Sequence, residues 1–223
     1  AASDVYKRQA YDTLNEPGEK AGTTSSKHWA FYDQMYKTIR SVDPDHIIIM
    51  ESCWGTANLP KPSDYGWSNV LYEYHHYTWN YISDLQGQKD SCKNLINSIN
   101  NANYGVPTYI GEYTCFGLED AWTYVMDEFN KAGWNYTSWA YKTNNSGSWG
   151  IYQEKTTQKV NPTSDSLADI KAKWSKDSIG TGSKSSNGIV YNTMKKAMPG
   201  TIVFADKALT CLLYTSDAAD EAR

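Results

Sequence analysis

Short apolar runs alternate along the chain with longer segments whose apolar positions recur every three and four residues, the pattern of strands alternating with helices. Ala10–Asn15 predicts a first strand. Tyr32, Met35, Tyr36, Ile39 and Val42 then share one helical face, which Asp43-Pro44-Asp45 breaks. His46–Glu51 follows as a second strand, an unbroken apolar run of the kind buried on both faces. Pro60-Lys61-Pro62 reads as a loop and Asn69–His75 as the third strand. Cys92, Leu95, Ile96 and Ile99 repeat at helical spacing before Val106–Glu112, the fourth strand. Leu118, Ala121, Trp122, Val125, Phe129 and Ala132 mark another helix, with Gly133 where a helix stop belongs. Trp134–Tyr141 is the fifth strand. Beyond it, a Ser164/Asp165 cap opens a helix carrying Leu167, Ile170 and Trp174, Gly180–Gly188 reads as a Gly/Ser-rich loop, and Val190–Met198 as a short helix.

Five strand–helix units in succession predict an α/β fold with a parallel sheet. A (β/α)8 TIM barrel takes about 250 residues, so five units over residues 10–200 fit an N-terminally truncated barrel, its last part without its first. A doubly wound sheet is the structural alternative, and would place ligands at a switch point instead. Residues 1–9 and 211–223 stand apart: Asp4-Val5-Tyr6-Lys7-Arg8-Gln9 and Cys211-Leu212-Leu213-Tyr214-Thr215-Ser216 resemble translated sequencing-library adapter and are set outside the fold.

Composition narrows the function. The longest aliphatic stretch, Ile47–Met50, is far short of the roughly 18 residues of a spanning helix, so no membrane segment is expected. A net charge of −4 without a basic stripe argues against nucleic acid. The four cysteines form no CxxC pair, which argues against zinc; Cys53 and Cys115 could meet in space, provided their Cα atoms come within about 7 Å. Nine Trp and 18 Tyr against four Phe favour rings that carry a polar handle, and sugars stack on such rings while their hydroxyls find the polar atoms around them.

Barrel enzymes place catalytic groups at the C-terminal ends of strands. Leu14-Asn15-Glu16-Pro17 closes the first strand and Gly111-Glu112-Tyr113 the fourth, so Glu16 and Glu112 can point into one cleft. Glycoside cleavage needs such a pair: one carboxylic acid protonates the leaving oxygen while a carboxylate attacks the anomeric carbon, with retention when the two lie roughly 5–5.5 Å apart. His75 and His76 are successive residues on a strand and point to opposite faces, so joint metal ligation is not expected; His76 packs behind the barrel. Glu51 and Glu73 also lie on strands; Glu51, at a strand end, could face the cleft, but no motif supports that and it is read as structural or salt-bridged. Trp54, Trp79 and Trp149 sit in loops after strand ends, where sugar platforms belong.

Asn15-Glu16-Pro17, His75-His76-Tyr77, Gly111-Glu112 and Ser138-Trp139-Ala140, in that order and spacing, resemble the C-terminal part of a family 5 glycoside hydrolase of the cellulase clan, from its fourth to its eighth barrel strand, over about residues 10–200. The resemblance implies a retaining β-glycanase without metal or cofactor, acting as a monomer on β-linked polysaccharide, cellulose-like β-1,4-glucan first, at the cell surface or secreted. It implies Glu16 as general acid/base, Glu112 as nucleophile, Asn15 at the 2-hydroxyl of the −1 sugar, His75 and Tyr77 as the family's His-x-Tyr pair with Tyr77 holding the nucleophile, and Trp139 as the floor under the −1 ring. Family members also use an Arg and a His from earlier strands, which have no counterpart here.

Overall fold

The computed structural model describes residues 10–18, 25–52, 55–56, 58–143, 147–155, 159–175 and 181–197. Five strands form one sheet in the order of the chain: β1 (Ala10–Asp12), β2 (Ile47–Glu51), β3 (Val70–Tyr77), β4 (Thr108–Thr114) and β5 (Asn135–Tyr136). Every neighbouring pair is parallel. Helices α1 (Ser25–Arg40), α3 (Leu85–Ala102) and α4 (Glu119–Ala132) return the chain between strands, with the single-turn α2 (Pro62–Tyr65) between β2 and β3. Strand order never reverses, so there is no switch point, and the arrangement is that of part of a (β/α)8 barrel rather than a doubly wound sheet.

The alternation of side chains along each strand separates a packed face from a chemical one. Ile48, Met50, Val70, Tyr72, Tyr74, His76, Ile110 and Tyr113 are buried. Behind β3 and β4, Trp122 and Phe129 of α4 lie 5.3 and 5.6 Å from the Tyr113 ring, and His76 meets Phe129 edge-on at 6.2 Å, the packed role expected of it. The other face carries Asp12, Ile49, Glu51, Leu71, Glu73, His75 and Glu112, aligned by the pairs Asp12↔Ile49, Ile49↔Leu71, Glu51↔Glu73 and His75↔Glu112. Helix ends fix the strand starts: the Arg40 guanidinium donates to the carbonyls of His46, Ser68 and Asn69 at 2.7–3.1 Å, tying α1 to the beginnings of β2 and β3. Gly133 closes α4 at φ +73°, as its position predicts.

One irregularity in β4 decides where the chemistry points. Tyr74 pairs with Ile110, but His75 pairs with Glu112, leaving Gly111 as an extra residue. Such a bulge turns the next side chain to the opposite face, and here it turns Glu112 toward His75. A Cβ on Gly111 would lie 1.4 Å from Glu73 Oε1 and 2.5 Å from its Cδ, so the buried Glu73 carboxyl occupies the space of the absent side chain. We expect Gly111→Ala to cost about 1–3 kcal/mol in urea unfolding, as overpacking does. Adding Glu73→Ala should recover part of it, because the clash is between these two residues; fully additive losses would show that the glycine is needed for some other reason.

Several boundaries differ from the sequence expectation. Strand one pairs only to Asp12, after which Thr13 Oγ1 donates to the Ile49 carbonyl and the chain turns aside. Strands three and four run two residues further, to Tyr77 and Thr114. Regular pairing of strand five ends at Tyr136; Thr137 and Trp139 still donate to the Ile110 and Tyr113 carbonyls of β4, while Ala140 exchanges hydrogen bonds with Trp149 and Ile151. From there a second sheet forms from β6 (Lys142–Thr143), β7 (Tyr152–Glu154) and β8 (Thr181–Lys184), where a Gly/Ser loop was expected. Gly182 permits it: a Cβ there would sit 2.8 Å from the Glu154 carbonyl oxygen. Helix α5 (Leu167–Lys173) is capped by Ser166, not Ser164 or Asp165, in a reciprocal box with Asp169, while Asp165 binds Lys173 at 2.7 Å. Helix α6 (Ile189–Ala197) closes the described chain. Cys92 and Cys115 are buried free thiols, so Cys115 makes no bridge; Cys53 lies outside the described residues. No helix is long and apolar enough to cross a membrane among the described residues.

Candidate active site

Glu16 follows β1 with φ +45°. Left-handed backbone is uncommon for a residue with a side chain, and Pro17 disfavours it further by pressing the preceding residue toward extended conformations. The conformation is held by a hydrogen bond from the Glu16 N–H to Glu51 Oε2, 2.5 Å long. It carries the Glu16 carboxylate to His75, whose Nδ1 lies 3.0 Å from Glu16 Oε1.

His75 is the hub. Its Nδ1 also lies 3.3 Å from Glu51 and 3.5 Å from Glu112, and its Nε2 lies 3.6 Å from Glu73. Burial alone would push the imidazole's pKa down, but hydrogen bonding to Glu73 and Glu16 and the charges of Glu51 and Glu112 outweigh it and lift it to about 9. His75 is therefore an imidazolium at neutral pH, one cation among four carboxyl groups. Loss of solvent raises buried Glu51 to about 7 against the opposing pull of the Glu16 N–H and His75. Glu112 accepts a 2.6 Å hydrogen bond from the Tyr77 hydroxyl. Burial and the adjacent Glu112 push Tyr77 well above its ordinary range, so it remains a donor.

Glu16, Glu51, His75, Tyr77 and Glu112 line a cavity of about 560 Å³ together with Asn15, Ser52, Gly55, Thr56, Tyr74, Leu95, Trp79, Trp139 and Trp149. One wall is aromatic. Tyr77 stacks on Trp79 at 5.6 Å and 26°, and Trp149 lies 5.6 Å from Tyr77 and 5.4 Å from Trp79. Phe116 braces both indoles from behind at 5.6 Å. Trp79 is 56% and Trp139 51% exposed, leaving ring surface free for a ligand.

Thus Asn15, Glu16, His75, Tyr77, Glu112, Trp79, Trp139 and Trp149 come together as expected, while Trp54 lies outside the described residues. Glu51 pairs with His75 and also faces the cleft, the alternative its strand end left open, with its carboxylate against the backbone of Glu16. Its sequence signal was a lone charge closing the run Ile47-Ile48-Ile49-Met50 at a strand end. Phe116 was missed, and no local signal marks it.

Glu16, His75 and Glu112 offer ligand atoms that all lie within 4.8 Å of one another, a spacing a cation could bridge. The donor set fits a metal poorly, because ligation would require the imidazolium to lose a proton that neighbouring carboxylates hold in place. The arrangement brings two carboxyl groups to one cavity, Glu112 hydrogen-bonded by the Tyr77 phenol and Glu16 beside the His75 imidazole.

The model of the family described as Cellulase (glycosyl hydrolase family 5) matches residues 3–145. A comparison with curated proteins returned no match. Among solved structures, the chain is similar to the lactosyl-enzyme intermediate of endo-glycoceramidase II from Rhodococcus sp., with TM-score 0.54 and 22% identity over 68% of this chain and 38% of that one. It is also similar to a glycoside hydrolase family 5 enzyme from Prevotella bryantii in complex with a xyloglucan tetradecasaccharide, with TM-score 0.57 and 12% identity over 84% of this chain and 56% of that one. The chain thus spans between a third and three fifths of the length of these neighbours, and at such identities the likeness is one of fold.

Proposed function

Since this chain belongs to the cellulase family, glycosyl hydrolase family 5, we propose that Glu16 and Glu112 hydrolyse the O-glycosidic bonds of β-linked polysaccharide with retention at the anomeric carbon. The observation that carries this is the spacing of the two carboxylates, which bring oxygens within 4.8 Å of each other. An inverting pair stands about 6.5–9.5 Å apart to admit a water between carboxylate and sugar, whereas a retaining pair is closer.

Glu112, aimed by Tyr77, attacks the anomeric carbon from the α face as Glu16 gives its proton to the departing oxygen. The C–O bond to the leaving sugar breaks, and a glycosyl ester forms on Glu112. Glu16, now a carboxylate, takes a proton from water, whose oxygen attacks the same carbon from the β face and releases Glu112. One residue, Glu16, thus serves as acid in the first step and as base in the second. In this reading Asn15, on the cavity wall, binds the 2-hydroxyl, and Trp139 carries the ring in the −1 position.

Cellulose-like β-1,4-glucan is the first substrate, because the exposed indoles of Trp79 and Trp139 give flat platforms along the cavity. Mannan, xyloglucan and β-1,3- or β-1,6-glucan are the rivals within the family. A polymer of this size meets an enzyme outside the cell, so we place the protein in the medium or at the cell surface. A 2-deoxy-2-fluoro-β-cellobioside with a good leaving group tests the mechanism. We expect the protein mass to rise by one fluorocellobiosyl group, located by peptide mapping on Glu112. A label elsewhere would overturn the nucleophile assignment, and saturable cello-oligosaccharide binding with no label would identify a carbohydrate-binding protein instead.

A further inference from the structure

We propose that Glu51 is a positioning residue for the general acid/base, a carboxylate clamp that fixes both the backbone and the side chain of Glu16. Its role rests on the retaining chemistry proposed above, in which Glu16 must meet the glycosidic oxygen in two successive steps.

The clamp is a closed triangle. Glu51 Oε2 accepts the Glu16 N–H at 2.5 Å, Glu51 Oε1 lies 3.3 Å from His75 Nδ1, and His75 Nδ1 lies 3.0 Å from Glu16 Oε1. One end of Glu51 therefore holds the main chain of Glu16, and the other holds the cation that orients its carboxylate. The main-chain contact is needed because φ +45° before a proline is a conformation that the local sequence resists. Glu51 itself has little freedom: it is 97% shielded from solvent, and its own carbonyl accepts the Tyr32 hydroxyl of α1 at 2.7 Å. The backbone of the acid/base is thus anchored through β2 to a helix on the far side of the sheet.

Glu51→Ala and Glu51→Gln separate this role from a merely structural one. Glutamine keeps an acceptor oxygen for the Glu16 N–H, whereas alanine removes it. In the intact chain, amide hydrogen exchange should show the Glu16 N–H strongly protected in the parent and in Glu51→Gln, with protection lost in Glu51→Ala while amides in the β3 and β4 ladders keep theirs. The kcat for cello-oligosaccharide hydrolysis, in which the departing sugar hydroxyl needs the proton of Glu16, should fall about 10²-fold in Glu51→Ala, the scale of a reacting group displaced by about 1 Å. In Glu51→Gln it should fall less than about tenfold, and in either variant the loss should fall on kcat more than on KM, because Glu51 acts through Glu16. Unchanged Glu16 protection in Glu51→Ala overturns the clamp, and so does lost protection with unchanged cello-oligosaccharide turnover. Should Glu51→Ala not fold, Glu51→Asp, one methylene too short to reach both partners, takes its place with the same expected outcomes. If the parent takes no label at all, the retaining mechanism falls, and the Glu16 amide still decides whether Glu51 holds that backbone.

Discussion

We expect Glu112→Ala to lower turnover of β-glucan by roughly four to six orders of magnitude, as loss of a covalent nucleophile does. The fold should survive, because Glu112 sits on the cavity face of β4 and not among the buried side chains behind it. Sodium azide should then restore cleavage of an activated aryl β-glycoside. The truncated side chain leaves a space on the α face of the sugar that a small anion fills, and attack from that side yields the α-glycosyl azide, inverted relative to the substrate. Product configuration is read directly by proton NMR of the anomeric signal. Undiminished turnover in Glu112→Ala, or rescue giving the β-azide, would remove Glu112 from the nucleophile's role. The 2.6 Å bond from Tyr77 gives the assignment its physical content, since a phenol donating to this carboxylate fixes the oxygen that attacks.

The site was legible where function rides on strand position, and illegible where it depends on contacts between strands. Glu16, His75, Tyr77 and Glu112 all stand at or beside C-terminal strand ends, and the two-residue period along β3 separates inward His75 from buried His76 without any knowledge of its neighbours. The bulge at Gly111 cannot be read that way. Strict alternation from buried Ile110 would send Glu112 to the helix side, and only the carboxyl group of Glu73 on the adjacent strand shows why a glycine must stand there. Glu51 belongs to the same class: its lone charge was visible, but its partner is a main-chain N–H 35 residues away whose left-handed geometry no propensity predicts. The second sheet was missed for a related reason. Thr181–Lys184 is Gly- and Ser-rich, which reads as a loop until the Glu154 carbonyl is seen to need the space that Gly182 leaves empty. The helices were the easiest part, because an apolar face and a stop such as Gly133 are local to the chain.

Glu16→Ala should produce a different kinetic signature from Glu112→Ala, and the contrast tests the division of labour between them. An acid matters in proportion to how poorly its leaving group departs unaided. On β-glucan, where the leaving group is a sugar hydroxyl, we expect formation of the glycosyl-enzyme to slow by about 10²–10⁴-fold, the usual contribution of general acid catalysis. A dinitrophenyl β-glycoside needs no proton, so its glycosyl-enzyme should form at close to the parental rate and then accumulate, because the base for the second step is also gone. A burst of dinitrophenol followed by slow steady release is the expected trace. Azide should speed the steady phase by attacking the trapped ester from the β face, where Glu16 would have activated water, and so give the β-glycosyl azide, opposite in configuration to the product from Glu112→Ala. Equal losses on glucan and on the activated glycoside, with no burst, would place the acid elsewhere. The geometry favours the burst: Glu16 makes its hydrogen bonds with His75 and Glu51, and its removal leaves the hydrogen bond between Tyr77 and Glu112 intact.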